Sequence, residues 1–463
     1  MVNERSRSEH RNLINFTIKK NRFLYSLEYQ VTMNYYSLNN KAPQTSFRDA
    51  VIKGLAPDKG LYFPESIIPL GEDFFKNIDS YSNHEIGYEL IKQFVGDEIP
   101  VKNLKAIVAD TLQFDFPTIE VEKDIYSLEL FHGPTMAFKD VGARFMARCL
   151  SYFNQENPNE VTVLVATSGD TGGAVASGFL GIKGVNVVIL YPSGKVSNIQ
   201  EKQLTTLGQN IRALEVHGVF DDCQAMVKKA FLDTSITDSM QLTSANSINI
   251  ARWLPQMFYF VFAYKQLKDR SKKVVFSVPS GNYGNICAGM MAQKLGLPVA
   301  FFVASTNANK VVTDYLDSGS YEPKPSVQTI SNAMDVGDPS NFIRIEKLHD
   351  NDFTKLKANL HSYSYSDDDT RKAMLHLYNN CGYTADPHGA IGYLGLKREL
   401  SQLENAQGFF LETAHPVKFL PVMDKNIAAK IEIPKQIEAV IHKEKVATEI
   451  STYEELKEYL LDS

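Results

Sequence analysis

The chain has 463 residues, 44% of them hydrophobic and 22% charged, with a formal net charge of −6. That balance belongs to a soluble globular protein with a core large enough for two or three domains, and it excludes a disordered or fibrous chain. The charges are interspersed, so no basic face is offered to nucleic acid or anionic lipid, and no apolar run reaches the roughly 20 residues of a membrane span.

Residues 1–33 read as an extension, disordered or not native, because patterned sequence starts only at Met33. This stretch has no signal-peptide apolar core, and Glu4, Glu9 and Glu28 argue against a transit peptide. Residues 34–115 then read as a mostly helical segment. Within it "SNHEIGYELIKQFVG" carries a cap at Ser82 or Asn83 and a stop at Gly96. Cys149, Cys223, Cys287 and Cys381 lie far apart, with no spacing suited to a disulfide scaffold or a zinc site. A reducing cytoplasm is the expected compartment, and no metal is expected.

The grammar changes after residue 116. "VTVLVAT" (161–167) is a short β-branched run, "SGDTGGAVASGFLG" is a glycine-rich loop entering a helix, and "VNVVILYP" (185–192) is a second strand. The unit returns as "KVVFSVP" (273–279), "SGNYGNICAGMMAQKLG" and "LPVAFFVAST" (297–306). Two such units predict an α/β protein with two parallel-sheet domains, divided here as 116–265 and 266–463. A ligand would sit where the strand ends meet.

The loop of Thr167, Ser168, Gly169, Asp170 and Thr171 can turn several N–H groups toward one anion at a helix N-terminus. A tight turn that merely needs glycine is the alternative for this loop taken alone. "PSGNYGN" (279–285) has no acidic residue and is the better phosphate cradle, but it matches neither a Walker loop nor G-x-G-x-x-G. In "FHGPTMAFKDVGARF" (131–145), Lys139 stands at the head of a helical run. A helix lysine is most often solvated. Met136 and Phe138 nonetheless suggest an apolar pocket, where desolvation would free the amine for a Schiff base. A reactive lysine and two anion loops on this scaffold suit an aldehyde cofactor bearing a phosphate.

"HGPTMAFKD" (132–140), "ATSGDTGGA" (166–174), "NSINIARWLPQ" (246–256), "PSGNYGN" and "ETAHPVKF" (412–419) together resemble the threonine synthase family. The stretch 35–70 also resembles that family's N-terminal segment, so the likeness covers the chain after Met33. It implies a fold-type II, tryptophan synthase β-like enzyme using pyridoxal 5'-phosphate. Carried over by position, Lys139 is the catalytic lysine that holds the cofactor. Gly281, Asn282, Tyr283 and Asn285 bind its phosphate, and Thr413 faces the pyridine nitrogen. Asp170 stands where relatives of the wider fold carry asparagine near the phenolic oxygen. Thr167, Ser168, Gly169 and Thr171 grip the substrate carboxylate, while Asn246, Ser247 and Arg252 bind the substrate phosphate. The implied reaction takes O-phospho-L-homoserine and water to L-threonine and phosphate. A monomer is implied over a homodimer.

Other residues have local readings. Asp140 caps or orients the helix start, and His132 fixes a turn or touches ligand. His415, Pro416 and Lys418 orient Thr413 or reach substrate phosphate, or "AHPVKF" is equally a structural turn, and His388 lies in a loop that the family places near the site. Asp367, Asp368 and Asp369 cap a helix rather than hold a metal. Other functions compete: a threonine or serine dehydratase, which acts on an unphosphorylated amino acid and would not need the Asn246, Ser247 and Arg252 set; a purely eliminating phospholyase; and a non-catalytic sensor.

Overall fold

The computed structural model describes residues 32–155 and 160–462. Apart from Thr32 and Met33, the expected extension lies outside the described residues. The run read as 161–167 is the strand Val161–Ala166, buried throughout, and it pairs in parallel with Val185–Pro192, Val163 standing opposite Val187. Strands covered on both faces need no polar alternation, which is why "VTVLVA" shows none.

These strands belong to a five-stranded, wholly parallel sheet ordered Thr448–Ile450, Ile211–Val216, Val185–Pro192, Val161–Ala166, Gln241–Ser244. A six-stranded sheet runs Leu360–Ser364, Phe301–Thr306, Lys273–Pro279, Ala406–Glu412, Ile125–Glu129, Thr118–Glu122. It is parallel except for its last pair. The strand expected over 297–306 begins only at Phe301. Pro298 has no N–H to donate to a neighbouring strand.

The sheets do not follow the divisions expected at 115/116 and 265/266. Ile125–Glu129 lies beside Ala406–Glu412, with Leu128 opposite Leu411, and so belongs with the late strands. The terminal strand Thr448–Ile450 pairs with Leu214, Glu215 and Val216 of the early sheet, where Ile450, Leu456 and Leu460 complete an apolar cluster. In each case a buried strand edge takes its partner by packing, whatever the distance along the chain.

The segment 34–115 is helical at Phe47–Lys53, Glu72–Lys76, Asn83–Val95 and Val101–Thr111. It also holds an unexpected two-stranded antiparallel sheet, Tyr35–Ser37 with Tyr62–Pro64. Ser82 and Glu85 form a capping box and Gly96 ends Asn83–Val95, as the sequence predicts. Ser366 and Asp369 likewise box the start of Asp367–Cys381, so this acidic run is a cap.

Helix Lys139–Phe153 packs on Asp170–Phe179 closely enough that a Cβ on Gly178 would lie 3.1 Å from Ala143. One apolar cluster runs from Val163 and Ile189 through Phe145, Trp253 and Phe260 to Phe276 and Phe302, joining the two sheets through a common core. Both glycine-rich loops therefore open toward the same gap, each at the carboxyl end of its strand.

Candidate active site

Lys139 is the first residue of helix Lys139–Phe153. The preceding turn is clamped to that start. Asp140, fully buried, accepts from the Thr135 N–H at 2.9 Å and from the Thr135 hydroxyl at 2.6 Å. A Cβ on Gly133 would fall 2.4 Å from Asp140 Oδ2, so only glycine fits there. The segment also bonds the one around Thr413: Phe138 N–H donates to the Thr413 carbonyl at 2.9 Å and His415 N–H to the Met136 carbonyl at 3.1 Å. Lys139 and Thr413, 274 positions apart, are thus held as neighbours.

Both line a cavity of about 370 Å³ at the carboxyl ends of Val161–Ala166 and Lys273–Pro279. The same wall takes in Thr167, Ser168, Asp170, Thr171, Asn246 and Ser247, and opposite them Gly281, Asn282, Tyr283 and Asn285. Lys139 Nζ lies 4.5 Å from the Phe138 ring centroid. Burial lowers its pKa to about 8, against the pull of Asp170 and Asp386 and with the push of Lys418 and Arg252.

In the first loop the Thr167 hydroxyl is committed to the backbone. It accepts from Gly169 N–H at 3.0 Å and Gly172 N–H at 2.8 Å, and donates to the Gly169 carbonyl. The N–H groups of Ser168, Asp170 and Thr171 keep no acceptor among the described residues. Gly169 adopts φ 138°, open to glycine alone, and does not line the cavity. Its place in the loop is conformational.

In the second loop Tyr283 sits at φ 59° and begins helix Gly284–Lys294. The N–H groups of Gly281, Asn282, Tyr283, Gly284 and Asn285 have no acceptor among the described residues. A Cβ on Gly281 would come within 2.7 Å of Met334 Cα and 2.8 Å of the Ala333 carbonyl. The Asn282 side chain accepts from Ser340 N–H at 2.6 Å, and Asn285 donates to the Pro279 carbonyl at 2.9 Å, so both shape the loop.

Arg252 departs from its expected place. It is fully buried and off the cavity wall, with Nη1 bonded to the Ala245 carbonyl and Nε and Nη2 unpartnered. Helix Lys139–Phe153 lies against it at Gly142, where a Cβ would sit 2.5 Å from the Arg252 carbonyl. A guanidinium needs a clear line to a phosphate for a two-pronged contact, and Arg252 is not on the cavity wall, its Nε lying 3.2 Å from where a Cβ on Gly142 would sit.

His388 does reach the cavity. Its Nε2 accepts from Ala333 N–H at 3.2 Å, so Nδ1 carries the proton shared with Asp386 Oδ1 at 3.0 Å. Beside it Glu412, fully buried, accepts from Asp386 N–H at 2.5 Å, and burial followed by the charge of Asp386 holds its pKa well above the carboxylate range. His132 is exposed and paired with Glu129, away from the cavity. The sequence reading passes over residues 332–335, which face Gly281, and Gln200, which donates to Asp170 at 3.0 Å. Neither belongs to a motif; "SNAMDVGD" offers only a polar run as a signal.

Two family models match: threonine synthase N terminus over residues 34–112 and pyridoxal-phosphate dependent enzyme over residues 113–409. The chain is 43% identical to threonine synthase of Haemophilus influenzae over 93% of its length and all of the relative's. It is 42% identical to that of Escherichia coli, over 88% of this chain and 94% of the relative. The chain belongs to the threonine synthase family. The solved threonine synthase of E. coli superposes with a TM-score of 0.87 at 39% identity, covering 93% of this chain and 99% of that one. A pyridoxal-phosphate-bound threonine synthase from Brucella melitensis gives 0.86 at 32%, with the same coverage of 93% and 99%. As a member of the threonine synthase family, the chain is a lyase of the fold-type II class that depends on pyridoxal phosphate. No helix among the described residues is long and apolar enough to cross a membrane.

Proposed function

We propose that this cavity turns O-phospho-L-homoserine and water into L-threonine and phosphate. The observation that carries the reading is one cavity shared by a partly buried amine, Lys139, and two loops with unengaged N–H groups. Cofactor and substrate together bring three anions: the cofactor phosphate, the substrate carboxylate and the substrate phosphate. Anion sites at helix starts answer the first two.

The cofactor fits these residues. The loop of Gly281, Asn282, Tyr283 and Asn285 has no acidic side chain and would hold the cofactor phosphate on the N-terminus of Gly284–Lys294. Lys139 would carry the aldehyde carbon, and the Thr413 hydroxyl, which makes no intrachain bond among the described residues, would meet the ring nitrogen. Asp170 would stand by the phenolic oxygen. When bound, pyridoxal phosphate supplies an electron sink for charge developing at substrate carbon.

The chain's own groups do the rest. The N–H groups of Ser168, Asp170 and Thr171 grip the substrate carboxylate, in a loop that Thr167 and Gly169 shape. Asn246 and Ser247 take the substrate phosphate, and Arg252 adds positive charge from behind the wall. With a pKa of about 8, Lys139 exchanges its proton close to neutral pH, as a group must that takes protons from one carbon and returns them to another. Across the reaction Cγ exchanges phosphate for hydrogen, and Cβ exchanges hydrogen for the hydroxyl of water.

The test is product analysis with O-phosphohomoserine, following threonine, inorganic phosphate and 2-oxobutyrate. Threonine and phosphate in equal amounts support the reading; phosphate with 2-oxobutyrate and no threonine would make the chain an eliminating phospholyase. Borohydride reduction of the loaded protein should mark Lys139, and Lys139→Ala should lose turnover while keeping its fold by circular dichroism. A monomer in a cytoplasmic setting completes the proposal, and light scattering at assay concentration reads the first part.

A further inference from the structure

Lys418 belongs to the short helix Pro416–Val422 that follows Thr413, and among the described residues it is the one buried lysine. Its Nζ lies 2.9 Å from Asp170 Oδ1, and the Asp170 side chain is itself only 3% exposed. The same oxygen accepts from Gln200 Nε2 at 3.0 Å. Gln200 is wedged in place: its own Nα belongs to the Ser197 capping box, and a Cβ on Gly169 would strike its amide at 2.5 Å. Two ammonium groups, Lys139 and Lys418, thus face one buried carboxylate, and only Lys418 forms an ion pair with it among the described residues.

A buried carboxylate is costly without a counter-charge and seizes the nearest cation. Without Lys418 that cation would be Lys139, and a lysine paired with an acid is held as an ammonium ion, unable to attack a carbonyl or accept a proton. We propose that Lys418 is a positioning residue for the reacting amine: its ammonium occupies Asp170 and so denies Lys139 an acidic partner. The inference rests on the reading of Lys139 as the reacting lysine. The Asp170–Lys418 pair carries no net charge, so the acid adds none to the site.

The charged groups that act most on Lys139 are Asp170, Lys418, Arg252 and Asp386, so the signs can be worked out; Asp221, Lys228, Lys324, Asp335, Asp338 and His388 also line its cavity. Lys418 and Arg252 push the Lys139 pKa down, and Asp170 and Asp386 pull it up, around a value of about 8. Removing Lys418 alone leaves Asp170 unopposed and raises it. Removing Asp170 alone lowers it, and removing both returns it toward the starting value.

The test is a cycle in the full-length chain: wild type, Lys418→Met, Lys418→Arg, Asp170→Asn and the double variant. After removal of the cofactor, the pH dependence of Lys139 acylation by a small anhydride is read by mass spectrometry. The wild-type midpoint is expected at about 8. Lys418→Met should raise it by about one unit or more, a tenfold loss of free amine below the midpoint. Lys418→Arg should hold the wild-type value, Asp170→Asn should lower it, and the double variant should restore it. An unchanged midpoint in Lys418→Met, or a double variant that stays high, would overturn the proposal. If Lys418→Met alone does not fold, the decision falls to Asp170→Asn and the double variant, in which no charge is left unpaired: a rise in the former overturns the idea. The labelling needs no turnover, so its outcome is separate from the choice of substrate, and borohydride marking of a lysine other than Lys139 would instead defeat the functional reading.

Discussion

At the scale of single residues, what decides the site is how near two atoms must come. Gly281 is fixed by Met334 Cα and the Ala333 carbonyl, both backbone and both unable to swing aside. Gly281→Ala should therefore displace the segment at 332–335 and weaken pyridoxal phosphate binding about tenfold or more, near 1.4 kcal/mol, as followed by absorbance titration. Gly389→Ala is more severe, since its Cβ would fall 1.6 Å from Glu412 Oε2. A stability loss of about 2–3 kcal/mol in denaturant unfolding is expected. The sequence reveals Lys139, the two loops and Thr413 because their motifs state both residue type and backbone shape. It misplaces Arg252, because a motif names a guanidinium without saying which way it points. Gln200 leaves no trace there, since its role comes from being trapped by Gly169 and Asp170.

Among elements, those with a local cause are legible and those completed from afar are not. The helix Asn83–Val95 announces itself by Ser82, Glu85 and Gly96, all within one stretch. The strand Thr448–Ile450 has no local signature, and its place comes from Leu214 and Val216. The following helix, Tyr453–Asp462, buries Leu456 and Leu460 against the same cluster, and Lys445 pairs with Glu201 and Glu215 on the way. Leu456→Ala should cost about 2–4 kcal/mol, measured by urea unfolding. Truncation after Lys443 should cost more than that single change, because strand, helix and ion pairs go together. A truncated chain as stable as the whole would show that the early sheet stands without its last strand.

Over the whole molecule, buried charges tie stability to pH with opposite signs. Burial would raise the pKa of Asp170, but Lys418 and Lys139 take it to about 2, so its contribution is present above the ordinary carboxylate range and is lost as pH falls through about 2. Glu412 runs the other way, its pKa being raised by burial and by Asp386. The folded chain keeps a proton there that the unfolded chain releases, so stability falls as pH climbs from the usual glutamate range toward the raised value. Glu412→Gln should flatten that alkaline-side decline in denaturation midpoints read across pH, and an unaltered slope would place the proton elsewhere. The two-sheet α/β plan is legible from repeated strand, loop and helix units, but the interleaving of strands is not, since it depends on which edge each strand finds. That interleaving bears on how the chain is made. The edge of Ile211–Val216 waits for Thr448–Ile450, more than two hundred residues later, and at ribosomal rates of about 5–20 residues per second the wait is roughly 10–50 s. For that interval a nascent chain carries an open strand edge, and Thr448–Ile450 is the stretch that closes it to unwanted neighbours.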